Sequence, residues 1–490
     1  MKLNIIYKIG LLTLFFGIIS CTNPNDIDPP PPDVGFIPVD NVDLIPFEDL
    51  LTLTQQQTFK YFWDFAEPVS GLAREDSERP NIITTGGSGF GIASFIVGIE
   101  RGWVSREDVI NRMETVLNFL EGAEKYHGAF SHWYDNSGNT IEFGDMDDGG
   151  DIVETALLIQ GLLIVRQYFS NDNEQETELR NRITNIWEDV EWTWYTQGQN
   201  KITWHWSPNH DFAINLDVRG WNEALIVYVL ASSSPTYPIN IDVYNNGWTR
   251  NGAFVNSGTF YDIFLPLGEN FGGPLFYSHY SFIGLDPRNL EDQYTNYFDQ
   301  NRAHSLINYD HCVTNPNNFD GYSDVSWGIT ASTNYNGYSA HSPNNDLGVI
   351  SPTAALSSFP YTPLESKKAL ENFYYNLNNE LWGDYGFFDA FSIHYNWYSD
   401  RYLAIDQGPI ILMIENYRTQ LLWNLFMQDQ EIIEGLNNSL IDIIVSDHKP
   451  EDEESKRLTF QQAASGASGI ETLLSLSLIH ISEPTRPLYI

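Results

Sequence analysis

A succession of segments with helical periodicity, joined by long aromatic loops, constrains the fold of this chain more than any other feature. Some segments, such as 105–125, have a polar face, whereas others, such as 152–165, are apolar nearly all round. A helix that is hydrophobic on every side must be buried on every side. The alternation predicts an all-α toroid of two concentric rings, with inner helix ends lining a central cleft; irregular helical packing is the alternative. The predicted helices are 54–66, 89–101, 105–125, 151–168, 174–192, 220–231, 274–284, 290–307, 352–359, 365–382 and 409–426.

The N-terminus has the pattern of a lipoprotein signal peptide. Lys2 and Lys8 precede an apolar run over 9–19, which is followed by Ser20 and Cys21. The run is shorter than the ~20 apolar residues required by a transmembrane anchor, which is the alternative. We expect a signal peptide over 1–20, an acylated Cys21 and a Pro-rich tether over 21–46. This predicts an exported lipoprotein of a Gram-negative-type outer membrane, on its periplasmic face or the cell surface.

The middle of the chain is predicted to form one domain. No linker rich in Pro, Gly or Ser interrupts 50–427, so we assign this domain to 47–436. Beyond it the amphipathic pattern ends and a charged stretch follows, so 437–490 is predicted to be a tail outside the domain. Residues 476–486, LSLIHISEPTR, resemble a translated sequencing adapter and are interpreted as a read-through artefact.

The charge balance restricts the partners. The chain has 65 acidic against 25 basic residues and a formal net charge of -40. A field of this sign repels nucleic acid and anionic polysaccharides. Cys312 has no partner once Cys21 is acylated, which excludes a Cys-ligated metal site. We expect no metal or cofactor, and a monomer.

A first group of acidic residues surrounds the start of a predicted helix near Gly150. Asp147, Asp151 and Glu154 are four and three residues apart, so we expect them on one helix face. The two aspartates suit capping and first-turn positions for structural reasons alone. Glu154 is flanked by apolar residues, where an unpaired carboxylate costs several kcal/mol. Such a group is either paired or functional, and burial would raise its pKa towards that of a usable general acid.

Two other carboxyl groups stand at the starts of apolar segments. Glu223 precedes the run 224–230, and Arg219, four residues earlier, is a candidate neutralising partner. Asp406 comes just before the segment 409–426, where a helix-capping role would account for it. If these segments are inner helices, Glu154, Glu223 and Asp406 converge at one end of the toroid. Two carboxyl groups flanking the scissile bond are what glycoside hydrolysis requires.

Other chemistries have weaker support. The sequence contains neither Gly-x-Ser-x-Gly nor His-Glu-x-x-His. The motif GGSGFG over 86–91 lacks the ending of a phosphate loop and is interpreted as a glycine-rich helix entry. Aromatic side chains among polar neighbours suit flat sugar faces, although core packing is the alternative for each. The residues predicted to bind sugar are Asp147, Asp151, Trp204, His205, Trp206, Arg219, Trp221, Tyr280, Trp327 and Trp397.

Several blocks resemble the glycoamylase-like domain, the group that includes glycoside hydrolase family 144. They follow one another in order over about 49–426, at 57–64, 84–91, 127–133, 147–151, 204–208, 351–355 and 404–409. The resemblance implies an (α/α)6 barrel and hydrolysis of β-1,2-glucan with inversion, either by endo action or by release of sophorose. It also implies that Asp147, Asp151, Glu154 and Glu223 line the active cleft.

The leading hypothesis is therefore an inverting glycoside hydrolase of a neutral β-glucan. Glu223 is the expected general acid, Asp406 or Glu154 the expected base, and Asp147 and Asp151 are expected to hold the sugar. Two alternatives stay open: a glucoamylase-like exo-hydrolase of α-glucan, and an inactive, lipid-anchored protein that binds glycans.

Overall fold

The computed structural model describes residues 44–439, with side chains to 437. The predicted signal peptide, Cys21, the tether before residue 44 and the tail beyond residue 439 lie outside the described residues. Among residues 44–439, no helix combines the length and the apolar character needed to cross a bilayer. The helices are α1 Phe47–Trp63, α2 Thr85–Glu100, α3 Arg106–Gly122, α4 Ile152–Tyr168, α5 Glu174–Glu188, α6 Leu225–Ser233, α7 Ile241–Val243, α8 Tyr297–Thr314, α9 Pro352–Leu356, α10 Pro363–Tyr375, α11 Asn378–Leu381, α12 Ala404–Thr419, α13 Leu421–Phe426 and α14 Gln430–Ser439.

The strands are short, antiparallel and confined to the connections between helices. They are β1 Ile83–Thr84, β2 Lys125–Tyr126, β3 Ala129–Phe130, β4 Trp133–Tyr134, β5 Thr140–Ile141, β6 Gly150–Asp151, β7 Ile202–Thr203, β8 His205–Trp206, β9 Asp217–Val218, β10 Val255–Phe260, β11 Ile263–Leu267, β12 Ala331–Asn334, β13 Gly337–Ala340, β14 Trp382–Gly383, β15 Gly386–Phe387, β16 Phe391–Ser392 and β17 Trp397–Tyr398. Most make two-residue ladders; β10–β11 and β12–β13 are longer hairpins.

The helices form two rings, and the sequence pattern explains which helix belongs to which. Helices α2, α4, α6, α9 and α12 are apolar or small on nearly every face and form the inner ring, together with two 3-10 turns, Leu275–Ser278 and Ser281–Ile283. Helices α1, α3, α5, α8 and α10 and the turns around 241–248 have polar sides and form the outer ring. Six outer and six inner segments alternate along the described chain, so the predicted (α/α)6 barrel is confirmed.

Neighbouring inner segments contact one another around the whole ring. Ser281 accepts a hydrogen bond from the backbone N–H of Ile226 at 3.0 Å, which joins α6 to the 3-10 turns. Between the two turns, His279 Nε2 lies 3.0 Å from Ser358 Oγ just after α9. Thr353 of α9 donates to the carbonyl of Asp406 in α12 at 2.8 Å. Helices α2 and α4 approach so closely that a Cβ on Gly89 would lie 2.2 Å from the Leu157 carbonyl oxygen. Here glycine is required for packing.

Several predicted helix boundaries are wrong. The helices predicted over 54–66, 290–307 and 365–382 are Phe47–Trp63, Tyr297–Thr314 and Pro363–Tyr375. Residues 274–284 form 3-10 turns, because i→i+3 bonds such as His279 N–H to the Phe276 carbonyl replace the α-helical ladder. The helix after Gly220 begins only at Leu225, since the chain first passes through a turn. Helix α12 begins at Ala404, before Pro409, because the Leu403 carbonyl already accepts from the N–H of Gln407 at 2.9 Å.

Candidate active site

A cleft of about 590 Å³ opens at the end of the barrel where the inner helices begin. The inner ring contributes Thr84 before α2, Glu154 in the first turn of α4, Glu223 before α6 and Ile405 in α12. The prediction that inner helix ends line a central cleft is confirmed. Helix N-termini present unpaired N–H groups and the positive end of the helix dipole, so this end of the barrel favours carboxylates. The inner-ring turns add Phe276 and Tyr280. The connections between helices supply Glu75, Glu78, Arg79, His132, Trp133, Phe143, Gly337, Tyr338 and Arg401.

Glu154 is held by the glycine-rich start of α2. Its Oε2 accepts the backbone N–H of Gly86 at 2.7 Å, and a Cβ on Gly86 would lie 2.6 Å from the same oxygen. The motif GGSGFG is thus a helix entry, as predicted, and its first glycine admits the carboxylate. Burial raises the pKa of Glu154 to about 7, although the His132 imidazolium opposes the rise. A carboxyl group with this pKa can take up or release a proton at neutral pH.

His132 connects Glu154 with Asp151. Its Nδ1 lies 2.9 Å from Asp151 Oδ2, and its Nε2 lies 4.0 Å from Glu154 Oε1. Burial alone would lower the pKa of His132, but Glu154 and Asp151 raise it to about 10. The ring is therefore a cation beside Glu154 at neutral pH. Asp151 also caps α4 through Oδ1, which accepts the N–H groups of Val153 and Glu154, so all of its bonds serve to position neighbours.

Glu223 reaches the cleft from the turn before α6. Ser281 Oγ donates to the Glu223 carbonyl, and Asn222 caps the turn by accepting the N–H of Ala224 at 3.0 Å. Burial raises the pKa of Glu223 to about 7, and the Asp151 carboxylate adds to the rise. The neutralising role considered for Arg219 is wrong, because that side chain is 48% exposed and pairs with Asp217 at 3.3 Å. Among the described residues, Glu223 has no Lys or Arg partner.

Asp406 belongs to a separate, buried pair of carboxyl groups. It is the third residue of α12, which Leu403 caps, so the predicted capping role is wrong. It lies beside Asp389, whose Oδ2 accepts the N–H of Thr333 at 2.7 Å. Burial and then Asp389 raise the pKa of Asp406 well above its usual range. Asp406 faces Tyr280, which lines the cleft, but is itself only 1% exposed.

Two arginine side chains at the border of the cleft, Arg79 and Arg401, form salt bridges with the same aspartate, Asp76. Asp76 Oδ2 lies 2.7 Å from both Arg79 Nη2 and Arg401 Nη2, and it is fully buried. Arg401 also contacts Glu78 at 3.1 Å, and Arg79 lies over the Trp133 ring at 4.7 Å. These side chains are hydrogen-bond donors held in fixed positions, which suits recognition of sugar hydroxyl groups.

Only part of the predicted site lines this cleft. Of the predicted site residues, Glu154, Glu223 and Tyr280 line the cleft. Asp147 and Asp151 precede α4, so the expectation that they share a helix face with Glu154 is wrong: the chain there is extended and pairs β6 with β8. Asp147 Oδ1 lies instead 3.0 Å from His205 Nε2, with both side chains buried.

The remaining predicted aromatic residues lie elsewhere. Trp221 packs in the core against Trp248, Phe282 and Tyr297. Trp327 is fully buried and donates to the Glu365 carbonyl at 3.1 Å. Trp204, Trp206 and Trp397 are half-buried outside the cleft lining. Within residues 44–439, no group of three or more His, Cys, Asp or Glu is arranged to hold a metal ion.

The residues missed by the sequence analysis come from loops. Arg79, Arg401, His132, Phe143 and Tyr338 line the cleft from connections far apart in the chain. His132 lies inside a block that carries the family resemblance, and this was the only signal for it.

Comparisons with known proteins place the chain among sugar-cleaving enzymes. The Glycoamylase family model, described as "Putative glucoamylase", matches residues 215–430. The chain is 44% identical over 413 residues to an exo β-1,2-glucooligosaccharide sophorohydrolase (non-reducing end) of Parabacteroides distasonis, covering 79% of this chain and 57% of that protein. This chain thus spans less than two thirds of that relative.

Two solved structures are also similar. The endo-β-1,2-glucanase of Chitinophaga pinensis, in complex with sophorotriose and glucose, is 50% identical and has a TM-score of 0.79, with 81% of this chain and 98% of that chain covered. A β-1,2-glucanase of Parabacteroides distasonis has the same TM-score of 0.79 at 44% identity, with 81% of this chain and 60% of that chain covered.

Proposed function

The chain belongs to the glycoamylase-like family of glycoside hydrolases, and on that premise we propose that it hydrolyses β-1,2-glucan. The observation that carries the proposal is the pair Glu154 and Glu223, which line one cleft with pKa values raised to about 7. The enzymes named for β-1,2-glucan among the similar proteins support the linkage, and the neutral substrate agrees with the net charge of -40.

In the proposed reaction, Glu223 is the general acid and Glu154 the general base. Protonated Glu223 donates its proton to the glycosidic oxygen as the bond to the anomeric carbon breaks. Glu154 removes a proton from the water that attacks this carbon on the opposite face, so the configuration inverts. Each carboxyl group then returns to its starting state by exchange with solvent, which a pKa of about 7 allows near neutral pH.

The surroundings of Glu154 and Glu223 determine how far each carboxyl group is ionised. The His132 cation keeps part of Glu154 ionised, and Asp151 orients the His132 ring. Glu223 has no nearby cation among the described residues, and burial keeps part of it protonated near neutral pH. Asp406 is the other candidate for the base, but its carboxyl group is enclosed with Asp389 rather than lining the cleft. Tyr280 contributes an aromatic wall.

A panel of polymers tests the proposal. The purified chain is incubated with β-1,2-glucan, β-1,3-glucan and starch, and the products are separated and identified. We expect soluble sophorose-series products from β-1,2-glucan only, with an α-anomer formed first in a proton NMR time course. Release of glucose from starch would instead establish the α-glucan exo-hydrolase. Binding of glucan without any product would indicate an inactive binding protein.

We also propose that the protein is a monomer held on the outer membrane through Cys21. The apolar run 9–19 before Ser20 and Cys21 supports lipid anchoring, and the Pro-rich segment after it suits a tether. Replacing Cys21 with Ser should release the protein from the membrane fraction, and a variant that still sediments wholly with membranes would refute the anchor. Light scattering of the released protein should give the mass of one chain.

A further inference from the structure

Tyr338 occupies an unusual position in the cleft. Its side chain is 54% exposed, although it is a large aromatic residue. Its side chain lines the cleft together with Glu75, Glu154 and Glu223. Because Tyr338 lines the cleft and more than half of it is exposed, its ring projects into the cleft. Among residues 44–439, no hydrogen bond and no ring–ring contact holds this side chain.

The backbone under Tyr338 is fixed. Tyr338 pairs with Thr333 across the hairpin β12–β13, and Thr333 donates its N–H to the buried Asp389 at 2.7 Å. Asn334 donates to Ser339 Oγ at 3.1 Å, and its amide also lies 3.1 Å from His341 Nε2. All of β12 is buried. The hairpin therefore presents the backbone of Tyr338 in a set position, so only the side-chain rotamer remains to be ordered when a ligand covers the ring.

The location of the hairpin places Tyr338 across the ring from two other aromatic side chains of the cleft, Trp133 and Phe143. Trp133 and Phe143 lie in the connection that enters α4, the second inner segment, and the hairpin lies in the connection that enters α9, the fifth. In a ring of six, the second and fifth positions are opposite one another. Phe143 and Tyr338 are both strongly exposed, at 43% and 54%. The cleft thus has exposed aromatic rings on two opposing sides.

We propose that Tyr338 is a substrate-contacting residue whose ring packs against a glucosyl unit of the bound chain, opposite Phe143. The inference rests on the proposed function for the identity of the sugar. Apolar sugar faces pack on aromatic rings, and the free hydroxyl can donate to a sugar oxygen. A tyrosine hydroxyl keeps its proton at neutral pH and is therefore available as a donor.

The experiment compares Tyr338→Ala and Tyr338→Phe with Tyr335→Ala as matched control. Tyr335 lies in the turn of the same hairpin, but its ring packs on Tyr395 with centroids 4.4 Å apart, and it does not line the cleft. Loss of one aromatic–sugar contact is worth ~1–2 kcal/mol, so Tyr338→Ala should raise KM about 5- to 30-fold. Tyr338→Phe should keep most of the affinity, and Tyr335→Ala should match the parent.

Two readouts separate this inference from the proposed function. Kinetics are measured on β-1,2-glucan, and binding of sophorose-series, β-1,3-linked and maltose-series oligosaccharides is measured by calorimetry in a Glu223→Gln background. If the parent cleaves another glucan, the proposed function fails, and Tyr338→Ala must still weaken binding of that glucan. A KM and an affinity within twofold of the parent in Tyr338→Ala would overturn the inference. An equal loss in Tyr335→Ala would also overturn it, because the hairpin rather than the ring would then be responsible.

Discussion

Replacement of His132 by Asn should shift one limb of the pH profile, and the limb that moves identifies the role of Glu154. Asn places an amide nitrogen near the position of His132 Nδ1 and can keep the bond to Asp151 Oδ2, now at 2.9 Å. It removes the cationic Nε2, which lies 4.0 Å from Glu154 Oε1. Without this cation, burial and the Asp151 carboxylate are left to raise the pKa of Glu154 further.

The size of the expected change in the pKa of Glu154 follows from the distance of 4.0 Å between His132 Nε2 and Glu154 Oε1. Two unit charges 4 Å apart interact by about 4 kcal/mol at an effective dielectric constant of ~20, an upper limit equal to about 3 pKa units. Opposite charges at this range usually shift a pKa by about 1–3 units. If Glu154 is the base, it must be ionised, and activity is lost as the pH falls through its pKa. A rise from about 7 by one unit reduces its ionised fraction at pH 7 about 5-fold, and a rise by two units about 50-fold.

The assay is kcat/KM on β-1,2-glucan between pH 4 and 10, which reports the ionisations of the free enzyme. With Glu154 as base, the acidic limb of His132→Asn moves up by at least one unit while the alkaline limb, set by Glu223, stays. With the roles exchanged, the alkaline limb moves up instead. His127→Asn is the control, because His127 pairs with Glu191 at 3.1 Å away from the cleft. An unchanged profile in His132→Asn would refute the coupling between His132 and Glu154.

Two stability predictions follow from the same structure. Gly89→Ala should destabilise the fold by at least about 2 kcal/mol in urea unfolding, since its Cβ would meet the Leu157 carbonyl oxygen, whereas Gly122→Ala, with open space at the end of α3, should be neutral or slightly stabilising. Because the pKa of Glu223 is raised from its ordinary value near 4.5 to about 7, the folded state loses stability as the pH rises between these values. Glu223→Gln should therefore be more stable than the parent by about 1–3 kcal/mol at pH 8 and equal to it at pH 4, and a lower stability at pH 8 would contradict the assignment.

The sequence pattern predicts the ring architecture because burial depends on composition along each helix. Helices such as α4 are apolar on every side, and only an inner position in a double ring can bury them. The same reasoning identifies Glu154, since a carboxylate inside an apolar run stands out. The helix boundaries at Leu225 and Ala404 are less accessible to prediction, because turns and tertiary hydrogen bonds decide where the first helical bond forms.

The site was predicted less completely, because most of its walls are loops. Arg79 and Arg401 meet on Asp76 although about 320 residues of sequence separate them, and no local pattern encodes that contact. Trp221 and Trp327 lie in the core instead of the cleft, and the sequence did not reveal this for a related reason. Trp327 has polar neighbours in sequence, yet its indole is buried and bonded to the Glu365 carbonyl. Polar neighbours therefore do not distinguish a sugar platform from a core residue.

The most direct test of the central claim is the turnover of Glu223→Gln and Glu154→Gln on β-1,2-glucan, measured beside Glu191→Gln. Gln keeps the shape of the side chain and removes its titrating proton, and Glu191 serves as control because it lies outside the cleft lining. General acid or base participation is worth roughly 10²–10⁴ in rate, so each cleft variant should fold and yet lose at least 100-fold in kcat, while the control matches the parent. Near-parental turnover in both cleft variants would contradict the account.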